Sequence, residues 1–364
     1  MRKANSYLDL VLNPFNLFRT KRILNINPTV IPQRKEPDEI NLFVYDYDAQ
    51  DVHEERLKKV EDCFTYKHSS RVTWMNVDGL RRSDVELICN HYGIHPLIQE
   101  DILSIGQRPK VDEIEGVMFC LLNTLYFNEK ENSVEVEQIS IILGEKFVVS
   151  FQEDASRDVF NPLRDKIQFR NNKLRQSGTD YLFYTMIDLI VDSYFLVMEK
   201  LSEKIEVLEE DIVRNPNKRT LARINQLRKE MIVLKRNIAP VRDMVAGILR
   251  SESSLLEERT EKYFKDVYDH IVQANDLAEN YRDMMMNMHD LYLSNVNLKM
   301  NEVMKVMAIV TCLLAPATVI GGMFGMNFDI IPYAHHHWGF YLACSMMVII
   351  PLVMLYIFRK RGWF

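Results

Sequence analysis

The sequence predicts an α+β membrane protein: an N-terminal cytoplasmic α/β domain, a long helical stalk and two C-terminal transmembrane helices. Three observations carry this. β-Branched and aromatic runs alternate with short helical patterns up to about residue 178, and the strand texture then disappears. From there apolar residues recur at three- and four-residue spacing. Finally, between Val306 and Phe358 the only formal charge is Asp329.

Composition narrows the function. The charged fraction is 26% and the net charge −6, so no basic face suggests nucleic acid as a partner. Cys63, Cys89, Cys120, Cys312 and Cys344 are scattered without a CxxC pair, which fits a reducing compartment rather than a disulfide framework. There is no P-loop, no G-x-G-x-x-G after a strand, no H-E-x-x-H and no nucleophile elbow. An enzyme and a nucleotide-driven machine are both unsupported.

Residues 1–38 hold Pro14, Pro28, Pro32 and Pro37 with little periodicity and read as a loosely ordered arm. Residues 39–178 form the α/β domain. INLFVYDY, RVTWMNV, GVMFCLLNTLYF, VEVEQISIILG and KFVVSF read as strands. SDVELICNHYGI reads as a helix opened by a capping box, Ser83 with Glu86 three residues on. HPLIQEDILS and Asp158–Gln168 supply two more helices.

Residues 179–250 read as an antiparallel helix pair broken only by Asn215-Pro216-Asn217, with an acidic first helix and a basic second one. Residues 251–305 continue as a stalk helix. The helical tract beginning near Leu255 meets no proline before Pro316 and no glycine before Gly321. At about 1.5 Å per residue it extends on the order of 100 Å. Such a rod needs copies of itself or a membrane at one end.

Residues 306–328 and 338–358 are each long enough to cross a hydrocarbon core. Residues 329–337 join them and 359–364 close the chain. Lys299, Lys305, Arg359, Lys360 and Arg361 flank the spans, while the joining loop has no Lys or Arg. Both termini are therefore expected in the cytoplasm, with the protein in the cell membrane.

The first span is unusually polar for an anchor. Asn301, Thr311, Thr318 and Gly322 step by ten, seven and four residues and share roughly one helix face. Close helix packing through small residues and a pore-lining face both account for that stripe. Met284, Met285, Met286 and Met288 point in different directions on a helix and read as interface packing rather than a soft-metal cluster.

Gly325-Met326-Asn327 at the end of the first span, after YLSNVNLKMNEVMKVM, closely resembles the CorA family of divalent-cation channels. HPLIQEDILSIGQRPKV, DYLFYTMIDLIVDSYF, YFKDVYDH and the RKRGWF tail agree, so the likeness covers about residue 80 to the C-terminus. The resemblance implies a homopentamer with first spans lining a central pore, second spans outside them, and the long helices forming a cytoplasmic funnel. It puts Gly325, Met326 and Asn327 at the selectivity filter, with Gly322, Thr318, Ala315, Thr311, Met307 and Asn301 lining the pore inward. Met307 falls where the family has an apolar gate. Cytoplasmic Mg²⁺ bound between subunits would close the channel, and the matching residues are Glu100, Asp101, Asp188 and Asp266. Mg²⁺ is then both cargo and regulator, with Co²⁺ or Ni²⁺ as further cargo.

Two departures stand out. Asp329 supplies one acid in the external loop, but PYAHHH replaces the family's second. Ala315 is smaller than the Met common at that pore position. In a ring of copies, His335, His336 or His337 could present imidazoles to Zn²⁺, Ni²⁺ or Co²⁺, and a solvated polar loop explains them as well. A zinc transporter of the same superfamily is disfavoured because that branch has GIN where this chain has GMN. A membrane-tethered metal-sensing scaffold is the remaining alternative, and substitution of Asn327 discriminates it from a channel.

Overall fold

The computed structural model describes residues 37, 40–154, 157–327, 331, 332 and 336–363. The arm expected over 1–38 lies outside these except for Pro37.

Seven strands form one mixed sheet: β1 Asn41–Tyr47, β2 Val52–Leu57, β3 Val72–Asp78, β4 Lys110–Ile114, β5 Val117–Asn128, β6 Ser133–Leu143 and β7 Phe147–Gln152. Their order is β2-β1-β3-β7-β6-β5-β4, and only β3 and β7 pair in parallel. The crossover between those two carries α1 Arg82–Tyr92, α2 Pro96–Leu103 and the β4–β6 meander. α1 and α2 cover one sheet face, where Val85, Ile88, Cys89, Ile98 and Ile102 pack on Met75, Val77, Phe119, Ile142 and Phe151.

The other face carries a polar seam. Trp74 Nε1 donates to Ser150 Oγ (2.9 Å), Ser150 Oγ donates to Asn76 Oδ1 (2.6 Å), and Asn76 Nδ2 donates to Asp78 Oδ1 (2.8 Å). Phe160, just before α3 Asn161–Gln168, meets the Trp74 ring edge-on.

Three long helices follow: α4 Thr179–Arg214, α5 Lys218–Arg250 and the 67-residue α6 Glu258–Phe324; α7 Gly339–Lys360 is last. α4 is fastened to the sheet by Tyr194, whose hydroxyl donates to the Asn123 carbonyl (2.5 Å), and α5 by Asn237, whose Oδ1 accepts from Asn123 Nδ2 (2.8 Å). Buried Asp180 in the first turn of α4 holds the start of α6. Its Oδ2 accepts from the Glu257 backbone N–H (3.2 Å) and from the Thr260 hydroxyl. α6 runs through Pro316, whose missing N–H leaves one intrahelical bond unmade.

The chain forms two compact units: residues up to Glu206 with Asn225–Met285, and Val207–Ile224 with the chain from Met286 onward. α4, α6 and α7 are each long and apolar enough to cross a membrane. The apolar stretch of α4 is 61% buried inside the protein, against 6% for those of α6 and α7. α4 is accordingly a core helix, and the apolar surfaces of α6 and α7 are left for another medium.

Several local expectations need correcting. α1 starts at Arg82, with its first amide bonds reaching the Arg81 carbonyl, so Ser83 is inside the helix and no capping box forms. Ser83 Oγ instead donates to Asp84 Oδ1, and Glu86 accepts from Arg82 Nε. α3 begins at Asn161 rather than Asp158, whose carboxylate accepts from the Phe160 N–H ahead of the helix. β2 and β4 were not legible as strands.

Candidate functional site

α6 and α7 form an antiparallel pair in the second unit. Lys305 Nζ donates to the Gly362 carbonyl (3.4 Å) at one end, and Gly321 faces Met347, where an added Cβ would lie 3.6 Å from the Met347 terminal methyl. Small residues permit that approach. The face of α6 turned to α7 contains Lys305, Ile309, Leu313, Pro316 and Ile320, all at least half-buried at three- and four-residue spacing. Asn301, Met307, Thr311, Ala315, Thr318 and Gly322 are all exposed, on the remaining surface of α6. A Cβ added at Gly322 would meet nothing within 4 Å, in contrast to its neighbour. The threonines satisfy themselves: Thr311 Oγ1 donates to the Met307 carbonyl (2.9 Å) and Thr318 Oγ1 to the Leu314 carbonyl (3.1 Å).

α6 ends at Phe324, so Gly325-Met326-Asn327 follows the helix instead of forming its last turn. The Gly325 N–H donates to the Gly321 carbonyl (3.0 Å) and the Met326 N–H to the Met323 carbonyl (3.4 Å). Met326 and Asn327 are exposed. Asp329 and His335 lie outside the described residues. His336 and His337 are exposed, and His336 Nδ1 accepts from the Trp338 N–H (3.4 Å).

A second cluster sits where α4 and α6 pack in the sheet-bearing unit. Asp188 and Asp192 are one turn apart on α4, and His270 comes from α6; one ligand atom of each lies within 4.8 Å of the others. His270 Nδ1 is 3.8 Å from Asp192 Oδ1. Burial, above all, lifts the Asp188 carboxyl above its ordinary range; Asp192 and Asp266 add to this, opposed by His270 and Lys166. Tyr184 donates its hydroxyl to Asp188 Oδ2 (3.5 Å); Tyr184, Tyr181 and Tyr263 pack tilted or edge-on against one another, and the Lys173 ammonium lies over the Tyr181 and Tyr263 rings, 4.2 Å from the Tyr263 ring centre. Like-charged, partly desolvated carboxylates with an imidazole beside them fit a divalent cation, held directly or through its water.

Asp188 and Asp266 therefore share a neighbourhood, whereas Asp101 is engaged elsewhere. Lys110 Nζ donates to Asp101 Oδ2 (2.6 Å) and lies 3.2 Å from Asp112 Oδ2. Burial depresses the Lys110 ammonium, but its bonds to Asp101 and Asp112 outweigh that and hold its pKa above the ordinary value. Glu100 is exposed on α2, where its carbonyl accepts from the Ser104 hydroxyl. Asp192, His270 and Lys110 were missed in the sequence. For the first two the available signal was spacing, since Asp188–Asp192 and Asp266–His270 are both i,i+4 pairs.

The family described as CorA-like Mg²⁺ transporter protein matches residues 69–360. The cobalt/magnesium transport protein CorA of Thermotoga maritima is 37% identical over 336 residues, covering 92% of this chain and 95% of that protein. The zinc transport protein ZntB of Yersinia pseudotuberculosis is 22% identical over 303 residues, covering 80% and 87%. The solved complete structure of the CorA magnesium transporter from Methanocaldococcus jannaschii superposes with a TM-score of 0.72 at 23% identity, covering 89% of this chain and 98% of that one. At that identity the structural likeness is one of fold.

Proposed function

The chain belongs to the CorA-like Mg²⁺ transporter protein family, and from that premise we propose that it is a passive Mg²⁺ uptake channel. It is a membrane protein of a transporter family rather than of an enzyme family. In the proposed assembly five copies surround a pore, the chain crosses the membrane over 306–328, which includes the end of α6, and over 338–358, which includes most of α7, and both termini are cytoplasmic. The domains 39–178, 179–250 and 251–305 would build the cytoplasmic funnel. The observation that carries the reading is the exposed stripe from Asn301 to Gly322, on a helix whose opposite face is closed by α7 and which is followed directly by Gly325-Met326-Asn327.

Mg²⁺ prefers octahedral oxygen ligands and gives up water reluctantly. A ring of Asn327 amides with the Gly325 carbonyls can hold the hydrated ion through its waters, without the tight capture a carboxylate ring would impose. Membrane potential supplies about 4.6 kcal/mol per 100 mV for a dication, twice the single-charge figure. Met307, 62% exposed in the single chain, would narrow the pore by dewetting when its copies converge. Asp188, Asp192, Asp266 and His270 would hold the regulatory cation on one side of a subunit interface, with Glu100 and Asp101 on the other. Bound cation offsets their repulsion and favours the closed ring.

Co²⁺ is a second cargo, on the strength of the Thermotoga relative. Ion flux into liposomes tests the reading. Asn327→Ala should abolish Mg²⁺ entry while leaving assembly intact. Undiminished flux would refute ion selection at Asn327, and absence of flux through the unsubstituted chain would instead favour a tethered scaffold.

A further inference from the structure

The second unit brings the turn between α4 and α5 beside the inner end of the apolar pair. Lys299 Nζ of α6 donates to Asn215 Oδ1 in that turn (3.3 Å). The level of the membrane surface is marked from the other side. Trp363 stacks on Phe358 with ring centres 5.2 Å apart, its N–H donates to the Phe358 carbonyl, and the adjoining Gly362 carbonyl accepts from Lys305. An aromatic ring at the end of an apolar helix, beside Arg359, Lys360 and Arg361, is the pattern of a headgroup-level anchor. Lys299 precedes Lys305 by six helical residues, about 9 Å of rise. The headgroup layer itself is about 5–7 Å deep on each side, and charge is felt for a further ~8 Å at physiological salt. The turn is within reach of the leaflet.

Its charge suits that surface. Exposed Arg214, Lys218 and Arg219 stand at the turn, while the acids of this end, Glu209, Glu210 and Asp211, sit one to two turns back along α4. Arg214 lies 3.3 Å from Glu210, and Arg223 is paired with Asp211. Asn217 Oδ1 accepts from the Arg219 and Thr220 N–H groups, capping α5 and fixing Lys218 and Arg219 at the outermost position. Glu302 is the acid between Lys299 and Lys305 on α6.

We propose that the α4–α5 turn docks on anionic headgroups of the cytoplasmic leaflet through Lys218 and Arg219, with Arg214 in support. This rests on the reading that α6 and α7 span the membrane. Each basic side chain near an anionic surface shifts the docked-to-free ratio by about fivefold, so the pair accounts for about 25-fold.

The test uses the full chain in liposomes. Exposed Cys312 and Cys344 are changed to Ala, and the other cysteines are buried. Val213→Cys, at a 60% exposed site in the last turn of α4, receives a fluorophore. Quenching by phosphatidylcholine carrying a headgroup nitroxide is compared between neutral liposomes and liposomes one-third phosphatidylglycerol. Quenching should rise several-fold with the anionic lipid, fall back in 0.5 M salt, and fail to rise in Lys218→Gln/Arg219→Gln. Equal quenching in both lipids, or a rise that survives the double substitution, overturns docking and assigns the turn to protein contacts. Mg²⁺ entry recorded on the same liposomes separates the two readings: conduction without a lipid response sinks only the docking, and a lipid response without conduction sinks only the channel.

Discussion

Lys110 occupies the carboxylates that a regulatory cation would need. A divalent ion reaching Asp101 must displace an ammonium 2.6 Å from its Oδ2, so Lys110 acts as a built-in competitor under the proposed regulation. Lys110→Met removes that charge and keeps most of the aliphatic stem. Coulomb attraction at this distance is about 6 kcal/mol at an effective dielectric of about 20, an upper bound. The Lys110 side chain is 35% exposed, however, and solvent screening brings such pairs down to about 1 kcal/mol. Losing it should let cytoplasmic Mg²⁺ close the channel at about fivefold lower concentration per site. The assay is Mg²⁺ influx into liposomes at fixed driving force, with trapped Mg²⁺ varied to find the closing midpoint. Lys110→Arg should leave that midpoint at the wild-type value. An unmoved or raised midpoint in Lys110→Met would refute the competition, because the ammonium would then be helping to hold the ion or be uninvolved.

Two further outcomes are expected. Asp180→Ala leaves the Glu257 N–H and the Thr260 hydroxyl without their acceptor and should cost about 1–3 kcal/mol, seen as a lower thermal midpoint in detergent; an unchanged midpoint would mean that water replaces the cap fully. Buried Glu137, whose Oε1 accepts from the Glu153 and Asp154 N–H groups, has its carboxyl lifted from 4.5 to about 7, chiefly by burial. The folded state thus binds this proton more tightly than the unfolded one, so the stability is fully present below about pH 4.5 and is lost as pH rises through about 7. At about 1.36 kcal/mol per pH unit the loss is on the order of 3 kcal/mol, and Glu137→Gln should flatten the melting profile between pH 5 and pH 8; parallel profiles would count against a buried neutral acid there.

What could be read from the sequence followed from local pattern. β1, β3, β5, β6 and β7 are mostly buried, so their apolar and β-branched runs are strong, whereas VHEERL and KVDEI are edge strands, the first largely exposed and the second half-buried, and both are rich in charge. They become strands through their neighbours' hydrogen bonds, which composition does not record. Ser83 misled because a capping box is a four-residue pattern that cannot tell where helix bonding begins. The uncharged stretch after Val306 was legible because a missing charge is a property of sequence. Asp192, His270 and Lys110 were not, since each takes its meaning from a partner on another element. Lys110 in particular looks like any strand-edge lysine until Asp101 is placed beside it.

Asp180 also bears on the order of synthesis. The groups it receives, at Glu257 and Thr260, lie 77 and 80 residues further along the chain. A nascent chain exposes this carboxylate in its proper place long before either donor has left the ribosome, and both apolar segments emerge later still. The first helical turn of α4 is thus a socket made ahead of the helix start that it receives.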